Sequence, residues 1–360
     1  MIKKVLLATF LFFLLSPISV KAEGEEILDE FESVIPPESG VDLDEMKEAG
    51  GMLGVEGIFR EIVSAFEGTR GAVVGFFFLV FGIAVLFSAH ESCGTLGDAR
   101  ICGTTSSGVL MLASVSIFSA LFGVCSSLKS GLVSLASFFG EVIPVISAVN
   151  VASGATSSAA TQAANMNITL AFIERFSVDA LLPVSLAVFS LSFIGAIGES
   201  EAVLSIGRGV KNFFTWGIGI ISTVLAAVIS IQSVVASATD SAILRAARYA
   251  ANGTIPVVGS TVASALATLG GGMAVIKGTV GGVSIAVILA LTLSPLIMLL
   301  MYRLSLSVSI SLLSFSGSTG GVRCFSAIRS ALDTLIAVYS MSVLVAIVEL
   351  VVFIKGGAEP

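Results

Sequence analysis

The residues of this sequence that could do chemistry are few and widely spaced. His90 is the only histidine, and the four cysteines, Cys93, Cys102, Cys125 and Cys324, contain no Cys-x-x-Cys pair. Together they cannot complete a common zinc site. We therefore expect the cysteines to be small residues that pack between helices, although Cys93 and Cys102 could form a disulfide if the loop between them faced an oxidising compartment.

A phosphate-binding loop is also missing from the sequence. Gly271, Gly272 and Lys277 resemble a Walker motif superficially, but their spacing is wrong and the residue after the lysine is glycine, not serine or threonine. No nucleophile with a matching base and no recognisable pair of acids occurs. The sequence therefore predicts a protein that is not an enzyme and that binds no cofactor and no metal.

Ionisable residues inside apolar runs are the remaining candidates for a functional role. They are Glu141, Asp179, Lys277 and Glu349. Each could mark an ion or proton pathway, because a charged group within a bilayer costs about 2.5 to 3.5 kcal/mol on insertion scales. Glu141, close to Pro144, is the strongest of the four. For the others a structural explanation is also open, since Asp179 and Glu349 lie near the ends of their runs and Lys277 can extend to the interface.

A second group of charges, Asp240, Arg245 and Arg248, interrupts an Ala-, Ile- and Leu-rich stretch that is predicted to be a helix over residues 239–252. Two interpretations are open. The segment is an interfacial helix whose first turn is capped by Asp240 and whose arginines reach the membrane surface, or the arginines form a docking surface for another subunit.

The elements that hold these residues belong to a membrane protein. Of the 360 residues, 55% are hydrophobic and 12% are charged, whereas about 25% charged residues is typical of a soluble domain. Long uncharged runs match the ~20 residues that a transmembrane helix needs. Basic residues are not clustered, which argues against a nucleic-acid partner. We predict an all-α fold, a polytopic bundle with broken or re-entrant glycine-rich segments.

The N-terminus is typical of a secreted or membrane-inserted protein. Lys3 and Lys4, an apolar run and then Ala22 predict a signal peptide over residues 1–22, although retention as an uncleaved anchor is a second interpretation. Residues 23–54 are strongly acidic and lack apolar periodicity, so we expect a disordered extracytoplasmic segment. Residues 55–70 predict an amphipathic helix that lies on the membrane or packs on its own bundle.

Residues 71–355 predict the membrane domain. Its spans are expected at about 71–89, 102–127, 178–198, 213–238 and 334–354, with a further one at about 283–302. The first contains Gly71-x-x-x-Gly75, a pattern that favours close helix packing in lipid.

The topology of three other stretches, 131–154, 253–278 and 304–315, is left open. Pro144 in the first, and Pro256 with many glycines in the second, suggest broken or re-entrant helices. Ala155–Thr169, which has neither charge nor bulk, predicts a loop or a small-residue helix packed inside the protein.

Several positions in the second half of the chain keep a distinctive order and spacing. They are Asp240, Arg245, Arg248, the run Ile255–Gly259 that includes Pro256 and Gly259, the run Ile276–Gly281 that includes Lys277, and Pro295. In these residues the chain resembles the stage III sporulation protein AE family. Arg248 departs from the pattern, because a lysine is expected there, and the residues after Ala263 lack an expected acid.

The resemblance implies a membrane subunit of the channel, or secretion-type complex, between mother cell and forespore that endospore development needs after engulfment. The implied partners are other stage III sporulation membrane proteins, their associated ATPase and the lipid bilayer. The implied location is the mother-cell membrane around the forespore. Asp240, Arg245, Arg248, Pro256, Gly259, Lys277 and Glu141 are then candidates for partner docking or for the pathway. The alternative is a stand-alone secondary transporter or permease.

Overall fold

The computed structural model describes Pro36 and residues 55–94, 99–152, 155–197, 200–254 and 259–355. This part of the chain is helical, without strands, so the predicted all-α fold is confirmed. The α-helices are α1 (Val55–Gly94), α2 (Ala99–Ala152), α3 (Thr156–Phe172), α4 (Asp179–Ile197), α5 (Glu201–Thr254), α6 (Gly259–Phe315) and α7 (Thr319–Lys355), and a π-helical segment, Ile173–Val178, joins α3 to α4. The predicted signal peptide, nearly all of the acidic segment, and Pro256 lie outside the described residues.

Helices suit this composition because a backbone in lipid must satisfy its hydrogen bonds within its own segment. Several serines and threonines follow the same rule, since their hydroxyls donate to the carbonyl four residues earlier. Examples are Ser147 to Ile143 at 2.8 Å and Thr292 to Ile288 at 2.6 Å. These back-bonds let polar residues sit in an apolar helix without exposing a free donor.

Five helices in the described part of the chain are long and apolar enough to cross a membrane. Their apolar portions are Ile62–His90, Val115–Val151, Glu201–Ile243, Val280–Phe315 and Thr319–Phe353. The predicted spans at 71–89, 213–238, 283–302 and 334–354 fall within them. The span predicted at 178–198 corresponds to α4, whose 19 residues give about 28 Å of helix, close to the thickness of a bilayer core.

The structure does not have the helix break that was expected near Pro144. Helix α2 continues through Pro144 to Ala152 as one helix of 54 residues, so the described stretch 131–152 is neither broken nor re-entrant. The break expected at Pro256 lies outside the described residues. Helix α6 continues through Pro295 and includes the 304–315 stretch. Within 253–278, helix is described up to Thr254 and again from Gly259. A proline removes one backbone donor, but neighbouring helices can compensate for that in a membrane bundle.

The helices alternate in direction between two ends of the bundle. At one end, Ser88 near the end of α1 donates to Ser316 after α6, with 2.8 Å between the hydroxyl oxygens; we call this the Gly317 end. At the other, Asp240 of α5 contacts Ser157 at the start of α3; we call this the Asp240 end. Helices α1, α6 and the α3–α4 unit run towards the Gly317 end, and α2, α5 and α7 run away from it.

Helices α6 and α7 form the centre of the bundle. Within their most apolar windows, 61% and 56% of residues are buried, against 22% for α5. Tyr302 of α6 stacks on Phe76 of α1, with 3.9 Å between ring centroids. Helix α5 instead exposes large apolar side chains such as Phe213 and Trp216. This pattern places α5 at the periphery, where lipid can cover it.

A tight turn joins α6 to α7. The Ser318 N–H donates to the Leu313 carbonyl at 3.1 Å, and the Gly317 N–H donates to the Ser314 carbonyl at 3.3 Å. This pair of bonds is the Schellman arrangement that ends many helices. Gly317 has φ of 79°, a left-handed conformation that glycine adopts without steric cost. The turn makes α6 and α7 antiparallel neighbours.

Candidate functional site

The most unusual polar site in the described interior is centred on Glu349 of α7. This residue is 0% exposed. The Gln162 Nε2 group of α3 donates to Glu349 Oε1 at 2.8 Å and to the Glu349 backbone carbonyl at 3.3 Å. The Thr169 hydroxyl, also from α3, donates to Glu349 Oε2 at 3.4 Å. Two neutral donors therefore hold one buried carboxyl group.

Helix α3 supplies most of this site because its polar residues share one face. Gln162, Asn165 and Thr169 are separated by three and four residues, which brings side chains onto the same side of a helix, and all three are buried. From α5, the Ser233 hydroxyl donates to Gln162 Oε1 at 3.4 Å. We name Glu349, Gln162, Asn165, Thr169 and Ser233 the Glu349 cluster.

Asn165 is the member whose hydrogen bonding is incomplete. Its side chain is 0% exposed, and neither Oδ1 nor Nδ2 has a hydrogen-bond partner among the described residues. Leaving a buried amide unpaired costs about 1–3 kcal/mol. The amide of Asn165 therefore offers an oxygen acceptor and N–H donors that the contacts of this part of the chain do not use.

The cluster also lacks a balancing positive charge. Within the described residues, no Lys, Arg or His forms an ion pair with Glu349 within 4.0 Å. An unpaired carboxylate buried in a membrane bundle is costly. The π-helical segment begins at Ile173, four residues after Thr169, and such irregular turns often occur at functional sites.

Asp240 has a role that the sequence did not indicate. Its carboxylate accepts hydrogen bonds from the Ser157 N–H at 3.0 Å and from the Ser158 N–H at 2.7 Å. It therefore caps the N-terminus of α3 from a neighbouring helix and complements the dipole of α3. The sequence placed Asp240 in the first turn of its own helix, and this is wrong, because α5 begins at Glu201.

A second charged site joins three helices nearer the Gly317 end. The Arg303 Nε–H of α6 donates to Asp333 Oδ1 of α7 at 2.6 Å. Lys211 Nζ of α5 lies 3.9 Å from Asp333 Oδ2 and donates to the Ser330 hydroxyl at 2.9 Å. Because each charge has an opposite partner, this group is best explained as an electrostatic link between helices.

The sequence candidates are not gathered at one place. Glu141 and Arg245 are exposed, and Asp240 is buried at the cap of α3. Arg248, Gly259 and Lys277 lie on described helices, but their side chains are outside the described part.

For Glu349 the sequence left open a pathway role or a position near the interface, and the structure buries its side chain fully. The sequence signal for its site was the spacing of Gln162, Asn165 and Thr169. This spacing places the three polar side chains on one helix face, within a tract that has neither charged nor bulky residues.

Within the described part of the chain, no group of three or more His, Cys, Asp or Glu residues could hold a metal ion. Cys125 and Cys324 are buried and free, which agrees with a packing role. The disulfide considered for Cys93 and Cys102 lies outside the side chains that the structure describes.

The described chain is all-helical, several of its helices are able to cross a bilayer, and polar contacts join those helices. These features define a multi-pass membrane protein. The family model described as stage III sporulation protein AE matches residues 43–357. The chain belongs to this family, which gives it a role in sporulation and makes it a membrane component and not a member of a known enzyme class.

A relative supports the same assignment. Stage III sporulation protein AE of Bacillus subtilis (strain 168) is 23% identical over 227 residues, which cover 62% of this chain and 56% of the relative. The match thus spans little more than half the length of that protein. No solved structure matches the chain.

Proposed function

We propose that this chain is a membrane subunit of the channel or secretion-type complex that connects mother cell and forespore and supports endospore development after engulfment. The family match over residues 43–357 carries the proposal. We place the protein in the mother-cell membrane around the forespore. Its proposed partners are other stage III sporulation membrane proteins and their ATPase, and it catalyses no reaction itself.

The length of the helices supports an assembling subunit. Helix α5 has 54 residues, about 80 Å of helix at 1.5 Å per residue, whereas a bilayer core is about 30 Å thick. Its ends therefore project beyond the lipid and are available to other proteins. Arg245 is exposed in the portion of α5 beyond Asp240, which makes it the best described candidate for a docking residue.

A stand-alone secondary transporter is the second candidate function, and the Glu349 cluster is the observation that favours it. Transporters place buried polar sites between helices, often where helices are broken in two related repeats. Helix α2 is unbroken at Pro144, so one of the two expected breaks is missing. The channel subunit therefore remains the first candidate.

The proposal is tested by isolating the tagged protein from sporulating cells in mild detergent and identifying the co-purifying proteins by mass spectrometry. We expect the other stage III membrane proteins and the ATPase to be recovered. Deletion of the gene should stop development after engulfment. A protein recovered alone from cells that sporulate normally without it would overturn the proposal and favour the transporter.

The docking role of Arg245 is tested with Arg245→Glu. Reversing a charge at an interface weakens binding by at least about 1.4 kcal/mol, or about tenfold, so recovery of the partners should fall. Arg208→Glu is the matched control, because Arg208 is also exposed on α5 and forms an ion pair with the exposed Glu201 at 3.4 Å. Equal recovery of the partner proteins with both variants would show that Arg245 is not part of the interface.

A further inference from the structure

The Glu349 cluster has the composition of a cation site. It contains one carboxylate, the hydroxyls of Thr169 and Ser233, and the side-chain amides of Gln162 and Asn165. Oxygen atoms of these kinds are the ligands that hard cations prefer. The cluster has no cysteine or histidine that would favour a softer transition metal.

The Glu349 cluster lies inside the helix bundle and not at its surface. Ser233 precedes Asp240 by seven residues on α5, about 10 Å of helix. Glu349 precedes the end of α7 at Lys355 by six residues, a similar depth. Both Glu349 and Ser233 are buried. The carboxyl group is therefore enclosed by protein a short distance inside the Asp240 end.

Charge balance limits what could occupy such a site. A single carboxylate is neutralised by one positive charge, whereas a divalent cation would leave the buried site with a net charge. A proton would also neutralise Glu349, but it needs only one oxygen. Two hydrogen bonds leave the carboxylate with further lone pairs, and Asn165 Oδ1 has no partner among the described residues. This surplus of oxygen acceptors favours a metal cation over a proton.

We propose that the Glu349 cluster is a binding site for a monovalent metal cation such as sodium, with Glu349 as the charged ligand and with Thr169 and Asn165 as neutral oxygen ligands. Gln162 holds Glu349 through its amide N–H, and Ser233 holds Gln162. Occupation would join α3 and α7 through one ion. The site goes beyond the proposed sporulation role, and its test in purified protein is independent of whether the channel partners are recovered.

The test is thermal unfolding of the purified full-length protein in detergent, at fixed pH and ionic strength, with NaCl replaced stepwise by choline chloride. A ligand that binds only the folded state raises the unfolding midpoint in proportion to the logarithm of its concentration above Kd. We expect the midpoint to be constant at sodium concentrations well below Kd and to rise with the logarithm of the sodium concentration above it. Identical midpoints in NaCl and choline chloride at every concentration would overturn the proposal.

The ligand assignment is tested with Glu349→Gln, which should abolish the sodium response. Thr169→Val keeps the shape of the side chain and the charge of the site, and should raise about tenfold the sodium concentration at which the midpoint begins to rise. This second variant keeps the assignment testable if the first does not fold. Glu141→Gln is the matched control, because Glu141 is exposed, and it should respond to sodium like the original protein.

Two further outcomes would overturn the proposal. A sodium response that persists unchanged in Thr169→Val and in a folded Glu349→Gln would place the ion elsewhere. Carbodiimide labelling of Glu349 would identify a site that binds only a proton. In that case the labelling rate would depend on pH but not on sodium, and the unfolding midpoints would not depend on sodium either. Slower labelling of Glu349 in sodium than in choline is the expected result.

Discussion

At the scale of single residues, burial and partners separate two glutamates that the sequence proposed as pathway candidates. Glu141, beside Pro144, was the stronger candidate, and it is exposed on a continuous helix. For Glu349 a position near an interface was also open, but it is buried and accepts hydrogen bonds from two α3 side chains. The difference arises from neighbours distant in sequence, since Gln162 precedes Glu349 by 187 residues.

Asp240 gives a stability prediction at this scale. Asp240→Ala removes the acceptor for two backbone N–H groups at the buried start of α3 and removes a charge that complements the helix dipole. We expect a loss of about 1–2 kcal/mol, measured as a lower midpoint of thermal unfolding in detergent. Asp240→Asn keeps an oxygen acceptor and should lose less.

The matched control for Asp240 is Thr239→Ala. Thr239 is the preceding residue, it is exposed, and its hydroxyl donates only to the Val235 carbonyl of its own helix. We expect a change within about 0.5 kcal/mol. If Asp240→Ala were no less stable than Thr239→Ala, the capping role of Asp240 would be refuted.

At the scale of helices, local sequence signals for breaks were overridden by packing. Pro144 and Pro295 both lie inside long helices, and Pro295 packs close to Gly131, whose added Cβ would lie 3.4 Å from the proline ring. By contrast, Gly71 and Gly75 of the predicted packing motif have no described neighbour within 4 Å of an added Cβ. That motif is therefore not a contact between helices in the described part of the chain.

The α6–α7 turn gives the prediction at this scale. Gly317→Ala places a Cβ on a residue with φ of 79°, which costs about 1–2 kcal/mol for a non-glycine residue. We expect a lower midpoint of thermal unfolding in detergent. An added Cβ meets nothing within 4 Å, so the effect would come from the backbone conformation.

Gly320→Ala is the control for the turn. Gly320 lies in the first turn of α7 and also has space for a Cβ, but its φ is not positive, so alanine should be neutral or stabilise the helix by up to about 1 kcal/mol. Equal midpoints for the two alanine variants would show that the left-handed conformation at Gly317 does not occur.

At the scale of the whole molecule, the alternating helix directions make a prediction about topology. The ends of α2 at Ala152 and of α7 at Lys355 lie at the Asp240 end of the bundle, and Ser316 lies at the Gly317 end. We expect reporter fusions after Ala152 and after Lys355 to face the same compartment, and a fusion after Ser316 to face the opposite one.

The topology is measured with paired fusions to alkaline phosphatase, which is active outside the cytoplasm, and to green fluorescent protein, which fluoresces inside it. If residues 1–22 act as a signal peptide, the Asp240 end is extracytoplasmic and the phosphatase fusions after Ala152 and Lys355 are the active ones. If the fusions after Ser316 and after Lys355 reported the same compartment, the antiparallel arrangement of α6 and α7 would be contradicted.

The sequence by itself indicated that the protein lies in a membrane, that its fold is all-α, and which family it resembles. A hydrophobic content of 55% with 12% charged residues requires a membrane, and a backbone in lipid favours helices, so these conclusions depend only on composition and local physics. The order of residues from Asp240 to Pro295 indicated the family, and the comparisons support it. The signal peptide and the exact spans remain predictions.

Only the tertiary structure decided which polar residues meet. The sequence showed Gln162, Asn165 and Thr169 as members of a small-residue tract, and offered both a loop and a packed helix for it. In the structure Gln162 contacts Ser233 and Glu349, and Thr169 contacts Glu349, from two other helices. Helix periodicity describes each face of a helix alone, whereas the pairing of those faces depends on how all the helices pack, and local sequence patterns do not encode that information.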